Sequence, residues 1–209
     1  MTDDLAAACG RDVPRETKLK LDHFEALLLR EADQQNLVSR HSIPETRRRH
    51  ILDSVQLLRF APAGRGPWLD IGSGGGLPGL VLAIIEQRPF TLAEPRKLRA
   101  EFLDRCVREL GLDHVTVAPA KAERITGEFS VISARAVAPL GDLFAMASHL
   151  SRPDTRWILP KGRSGAKELA EAQASWQGRF RLEPSITADD ATIVVAEAVQ
   201  RRASARGRG

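Results

Sequence analysis

The chain has 209 residues, 43% apolar and 28% charged. That is ordinary globular composition, and a chain of this length can bury roughly 70% of its unfolded surface without disulfide or metal staples. Its two cysteines, Cys9 and Cys106, can form neither a disulfide framework nor a four-ligand zinc site, and the lack of tyrosine excludes the Tyr/Lys chemistry of short-chain dehydrogenases. The net charge of +4 comes from 31 basic and 27 acidic residues, and four of the arginines lie in residues 201–209 (RRASARGRG), so the body is neutral and the excess is a basic tail. Such a tail suits an anionic polymer, nucleic acid first, although a solvated terminus carries the same charge.

The first ten residues, MTDDLAAACG, are acidic where a signal peptide is basic. The longest apolar run, 75–85, is well short of the ~20 residues that span a membrane. A soluble, cytoplasmic protein is the expectation. Leu21, Phe24 and Leu28, with Leu27 beside them, place an amphipathic helix over 15–35, ended by Asn36. A second helix is predicted from Pro44 to Leu58, with Ile51, Val55 and Leu58 on one face. The cluster APAGRGP at 61–67 is the best internal boundary. It separates an N-terminal helical extension, 1–60, from a domain over 66–200 and the tail 201–209.

Beyond that boundary the period changes. Strands are predicted at 68–71, 90–93, 115–118, 129–133, 156–159 and 192–199, with helices at 79–87, 96–110, 140–150 and 164–177 between them. This alternation implies an α/β fold with a mostly parallel, doubly wound sheet. A weaker run near 179–187 lets the sheet end in an antiparallel hairpin. Trp68 and Trp157 read as core, and Trp176 falls in the predicted 164–177 helix.

The densest signal is WLDIGSGGGLPG at 68–79. Its glycines let the chain turn off a strand and approach a ligand at the carboxyl end of the sheet. Gly74, Gly76 and Gly79 also satisfy the spacing of a dinucleotide-binding turn, with Glu94 following. Against that reading, the Asp70 carboxylate at the strand end would repel a pyrophosphate but suit the ammonium and sulfonium of S-adenosylmethionine. Glu94, closing the second predicted strand, can accept two ribose hydroxyls; pairing with Arg96 or Lys97 is the plainer use. Ala122 and Glu123, after the third strand, can read an adenine edge or simply cap a helix. Arg47, Arg48 and Arg49 fan around their helix, so one or two face phosphate, Arg48 and Arg49 being the candidates, with Arg201 and Arg202 in the tail.

Five blocks occur in order: Asn36-Leu-Val-Ser39, Arg49-His-Ile-Leu-Asp-Ser54, Leu69–Gly79, Ile132-Ser-Ala-Arg-Ala136 and Pro160-Lys-Gly162. By these the chain resembles the RsmG (GidB) family, the bacterial 16S ribosomal RNA guanine-N7 methyltransferases, over roughly residues 20–165. The resemblance implies a class I S-adenosylmethionine-dependent methyltransferase fold. It implies a cofactor site at Gly72, Leu77, Ala122, Glu123 and Arg135, with Glu94 near the ribose. It also brings Arg49, His50 and Asp53 to the edge of the cleft, and makes ribosomal RNA or the small subunit the partner of a monomeric enzyme. The sequence departs from the family at Arg30–Gln35, where relatives carry an aromatic and basic segment. It also lacks a Gly-x-Arg-His block before the last strand.

Guanine N7 carries a lone pair in the neutral base, so its methylation needs no proton removed. The residues agree: no Asn/Asp-Pro-Pro-aromatic segment serves an exocyclic amine, and no Pro-Cys pair serves pyrimidine C5. No general base is therefore assigned, and no metal. Arg135, at a strand's carboxyl end, and Lys161 are the candidates for positioning the target through guanine O6 and N7 or a phosphate, a structural ion pair being an equal alternative for Lys161. A dinucleotide-dependent reductase, and an RNA-binding module without catalysis, remain the competing readings.

Overall fold

The computed structural model describes residues 2–32, 34, 35, 37 and 46–203, the side chains of residues 2 and 3 excepted. Asn36, Ser39, Pro44, Arg206 and Arg208 lie outside it, and with them the expected helix stop at Asn36, the expected helix start at Pro44 and most of the basic tail.

Two helices, α1 (Thr2–Cys9) and α2 (Arg15–Ala32), open the chain. The stretch predicted as one regular helix is a graded one: a π-helical turn at Arg47–Leu52, a short α3 (Asp53–Val55) and a 3-10 segment at Gln56–Phe60. Seven strands follow: β1 (Trp68–Ile71), β2 (Phe90–Ala93), β3 (Val115–Ala118), β4 (Phe129–Ala134), β5 (Ser151–Lys161), β6 (Trp176–Pro184) and β7 (Thr192–Arg201). The helices between them are α4 (Gly79–Ile85), α5 (Lys97–Leu110), α6 (Leu140–Ala147) and α7 (Gly165–Gln173). The sheet runs β3-β2-β1-β4-β5-β7-β6. The first five strands pair in parallel, while β7 runs antiparallel to both β5 and β6. The expected α/β architecture with a terminal hairpin is thus the one adopted.

The apolar strands are buried because helices cover both faces, as a parallel sheet requires. One apolar cluster holds Leu5, Phe24, Leu28 and Ile51 from the N-terminal elements together with Leu80, Leu92, Val131 and Val195. The other, on the opposite face, is built around Phe144, Trp157 and Trp176. Trp176 is a correction to the sequence reading: α7 stops at Gln173, and the indole begins β6, buried against Phe144. The run of alanines that favoured helix there gives way because packing of a large aromatic ring outweighs local propensity. Beyond Pro184 the chain returns through residues 185–191 to β7. β6 is an edge strand, with Gln177, Gly178, Arg179, Arg181 and Leu182 exposed and a register shift between Gln177 and Arg179.

Candidate active site

Parallel strands end together, so the turns after β1, β2, β3, β4 and β5 gather at one rim. Ile71 of β1 pairs with Ala93 of β2 on one side and Ala134 of β4 on the other. The glycine loop therefore leaves the sheet between Glu94 and Arg135.

The loop is held from below. Trp68 Nε1 donates to Ser133 Oγ at 2.9 Å, Ser133 Oγ donates to Asp70 Oδ1 at 2.6 Å, and Gly79 N donates to Asp70 Oδ2 at 3.1 Å. Asp70 is fully buried, and burial pushes its carboxyl up to about 6 despite these bonds. This overturns the expected contact of Asp70 with a ligand. The side chain turns inward and ties β1 to β4 and to the first turn of α4, because both of its oxygens find donors there and none of its surface reaches solvent.

Glu94 braces the loop from the side. Its Oε2 accepts from Gly74 N at 2.9 Å and its Oε1 from Arg96 N at 2.8 Å. Neither the Arg96 nor the Lys97 side chain is the partner; backbone amides are. Four more loop amides are also spent within the chain. Gly72 N and Ser73 N donate to Ala93 O, and Gly76 N and Leu77 N donate to Ser73 O. Gly72 has φ +66°, and a Cβ there would lie 2.6 Å from Val137 Cγ2. Residue 72 must be glycine because the turn is left-handed and the segment after β4 passes directly over it. From the N-terminal side Phe24 of α2 closes on Gly76, and Leu28 on Gly75. Leu77 is buried in the core, Ala122 is buried in a 3-10 turn after β3, and Glu123 beside it is exposed.

Next to the loop, a cavity of about 1080 Å³ opens at the carboxyl ends of β4 and β5. Arg48, Arg49, His50 and Asp53 form one wall, Arg135–Pro139 and Pro160–Ser164 the floor, and the 185–191 connection the other wall. Arg135 Nη1 donates to Asp53 Oδ2 at 3.2 Å and to Arg49 O at 3.4 Å, and Nη2 lies 3.5 Å from His50 Nδ1. Burial and the neighbouring guanidinium of Arg135 push His50 down to about 4, so the imidazole is neutral at ordinary pH. Arg48 and Arg49 are exposed at the rim, with Arg48 Nε 3.4 Å from Thr187 O.

Lys161 differs from its expected use. Lys161 Nζ donates to Ala138 O at 2.8 Å and pairs with Glu168 at 2.9 Å. Glu168 also accepts from Leu140 N and Ser164 Oγ, and its carboxyl is held below the usual range against the cost of burial by Ser164 and Lys161. The lysine ammonium is thus committed to shaping the 136–140 segment and is turned away from the cavity opening, its side chain only 9% exposed. Arg202 is exposed but docked: its Nε donates to Gln173 O at 2.8 Å, past the last turn of α7. Arg201 ends β7 as an ordered strand residue opposite Trp176 and lies far from the cavity wall formed by Arg48 and Arg49 in the fold, at the other end of the hairpin. Sequence reasoning missed Gln56, Ser185 and Thr187; the only available signal was the i, i+3 spacing of Asp53 and Gln56 on one helix face.

Comparison with known proteins fits this geometry. The family described as "GidB: rRNA small subunit methyltransferase G" matches residues 17–190. The chain belongs to that family. It is 46% identical to ribosomal RNA small subunit methyltransferase G of Sphingopyxis alaskensis, over 84% of this chain and 76% of that one. It is 44% identical to the protein of the same name from Rhizorhabdus wittichii, over 97% of this chain and 95% of that one. Among solved structures, a SAM-dependent methyltransferase from Aquifex aeolicus has a similar fold, with a TM-score of 0.59 at 14% identity, covering 74% of this chain and 93% of that one. The ribosomal protein L11 methylase of Lactobacillus delbrueckii matches with a TM-score of 0.58, also at 14% identity, covering 74% and 79%. These two likenesses establish the methyltransferase fold for this GidB-family chain.

Proposed function

We propose that this GidB-family chain transfers a methyl group from S-adenosylmethionine to N7 of a guanine in small-subunit ribosomal RNA. The observation that carries the proposal is the adjacency of two unlike sites across β1 and β4. One is the acid-braced glycine loop, and the other is the arginine-rimmed cavity. The loop fits a cationic ligand. Gly72, Ser73, Gly74, Gly76 and Leu77 have their amides bonded within the chain, so a diphosphate would find few donors there. This argues against a dinucleotide-dependent reductase.

In this reading Gly72, Gly74 and Leu77 shape the loop over which the cofactor lies, and Asp70 holds that loop from behind. Glu94 keeps lone pairs for a ribose, and Ala122 with Glu123 borders the adenine. When bound, S-adenosylmethionine supplies an electrophilic sulfonium methyl to the N7 lone pair. The protein's task is then alignment, since a well-oriented pair can gain on the order of 7–11 kcal/mol. Arg135 lines the cavity at the end of β4, beside the loop, and positions the target, donating to guanine O6 or a flanking phosphate. Arg48 and Arg49 carry phosphate contacts at the rim, and Arg201 adds a more distant one. Lys161 acts one step back, through the backbone it fixes. His50, neutral, takes no proton because none is released from N7. Residues 1–60 serve as an extension that covers the cofactor side of the 66–200 catalytic unit, and the enzyme works as a cytoplasmic monomer. No described helix is long and apolar enough to cross a membrane.

The test is transfer from labelled S-adenosylmethionine to deproteinised small-subunit RNA and to intact subunits, followed by nucleoside analysis. Labelled 7-methylguanosine is expected. Its absence from both substrates would sink the proposal.

A further inference from the structure

We infer that Asp53 is a positioning residue that presents Arg135 to the target and couples it to the 185–187 connection. The inference rests on the methyltransferase reading above. It starts from an unusual sharing of one carboxylate among three segments distant in sequence. Oδ2 takes the Arg135 guanidinium at 3.2 Å, from the end of β4. Oδ1 accepts from Thr187 Oγ1 at 2.8 Å, on the opposite wall of the cavity, and from Gln56 Nε2, also at 2.8 Å. Gln56 is fully buried, and its Oε1 accepts from Ile186 N at 2.9 Å. The pair Asp53 and Gln56 therefore pins the wall at Ser185–Thr187, while the same carboxylate aims Arg135.

The geometry around Arg135 is one-sided. The three acceptors that hold it among the described residues, Asp53 Oδ2, Arg49 O and His50 Nδ1, come from residues 49–53 of the π-helical turn and its end. Turns of this kind are frequent at functional sites. His50 can serve as an acceptor because it is neutral, burial and Arg135 holding it down to about 4. An arginine has four flexible bonds, and fixing it before the target arrives removes an ordering cost from binding and alignment. A purely structural pair would need neither a position on the cavity wall nor a second tether to the opposite wall.

Asp53→Asn separates the two roles with little change in volume. The amide oxygen can stay with Thr187 and Gln56, while the new amide N–H groups meet the guanidinium donor against donor. In the full chain labelled with ¹⁵N-arginine, rotation about the Arg135 Cζ–Nη bonds is expected to be slow in the wild type and at least tenfold faster in D53N. In the same preparations kcat for small-subunit RNA falls at least tenfold in D53N, KM for S-adenosylmethionine stays within twofold, and the melting temperature moves only a few degrees. In an Arg135→Lys background the same change costs less than twofold further, since residues acting as a unit are not additive. Fast rotation in the wild type, an unaltered kcat in D53N, or multiplying effects in the double variant would overturn the inference. If D53N does not fold, Asp53→Ser is the substitute, since it too removes the Oδ2 acceptor; the same loss of kcat is expected, and an unaltered kcat there would overturn the inference equally. A wild type that methylates neither RNA nor subunits would sink the methyltransferase reading instead, and the rotation measurement would still decide on Asp53.

Discussion

Glu94 and Gly74 are twenty residues apart, and the glycine amide donates to the glutamate carboxylate at 2.9 Å. This bond closes the turn after β1 against the end of β2, so the acid proposed to meet the ribose also sets the loop's shape. Glu94→Ala would leave the amides of Gly74 and Arg96 without their charged acceptor. A loss on the order of 3 kcal/mol in stability is expected, since each such bond contributes about 1.5–3 kcal/mol. Affinity for S-adenosylhomocysteine should fall at least tenfold. Calorimetric titration beside urea unfolding measures both, and unchanged affinity would remove Glu94 from the site.

Gly72→Ala should damage the same loop by a different route. The added methyl enters a left-handed turn and meets Val137 at 2.6 Å, so strain and overlap combine to about 2–4 kcal/mol. Gly141→Ala is the control. It lies in the first turn of α6 with no atom within 4 Å of the added carbon, and should shift stability by less than about 1 kcal/mol. Thermal melts with and without S-adenosylhomocysteine distinguish the two; equal behaviour would contradict the role given to the loop.

Asp70 carries a pH dependence with a definite sign. Its carboxyl is raised from 3.8 to about 6 in the folded chain by burial, so the native state binds the proton more tightly than the unfolded one. Its contribution is fully present at low pH and is lost as pH rises through about 4 to 6. At about 1.4 kcal/mol per unit the change amounts to roughly 3 kcal/mol. The difference in unfolding free energy between wild type and Asp70→Asn should therefore move in favour of the variant by about that amount between pH 4 and pH 7. Denaturant curves across that range test it, and a flat difference would mean Asp70 titrates normally.

Lys161 and Arg49 should separate in their salt dependence. Arg49→Ala is expected to lower the slope of log affinity for RNA against log salt by about 1, as loss of one phosphate contact does. Lys161→Ala should leave that slope unchanged while costing about 2 kcal/mol of stability, because Glu168 loses its partner in a half-buried site. Filter binding at several salt concentrations decides. A reduced slope for Lys161→Ala would return that lysine to the RNA surface.

The sheet and its loop were legible because β1, β2 and β4 are short, buried runs whose pattern no helix shares. Glycines at 72, 74 and 76 mark the turn by composition alone. What local pattern could not reveal was direction. Asp70 occupies the strand end as expected, yet points into the sheet, because Ser133 and Gly79 become its neighbours only after β4 and α4 have packed. Lys161 turned inward for the same reason: Glu168 and Ala138 flank it in space from opposite sides in sequence. The link from Asp53 to Thr187 spans 134 residues, and no spacing rule reaches that far.

The order of the last three strands has a bearing on how the molecule meets others of its kind. β7 lies between β5 and β6, so the outermost ribbon on that side is β6, carrying Arg179, Arg181 and Glu183 and ending in Pro184. The opposite margin is β3, only four residues long. A growing fibril needs a long, flat, uncharged border to copy, and neither margin provides one. In the proposed reading the nucleic acid is met not at these flanks but at the strand tips, where Arg48, Arg49 and Arg135 line the cavity.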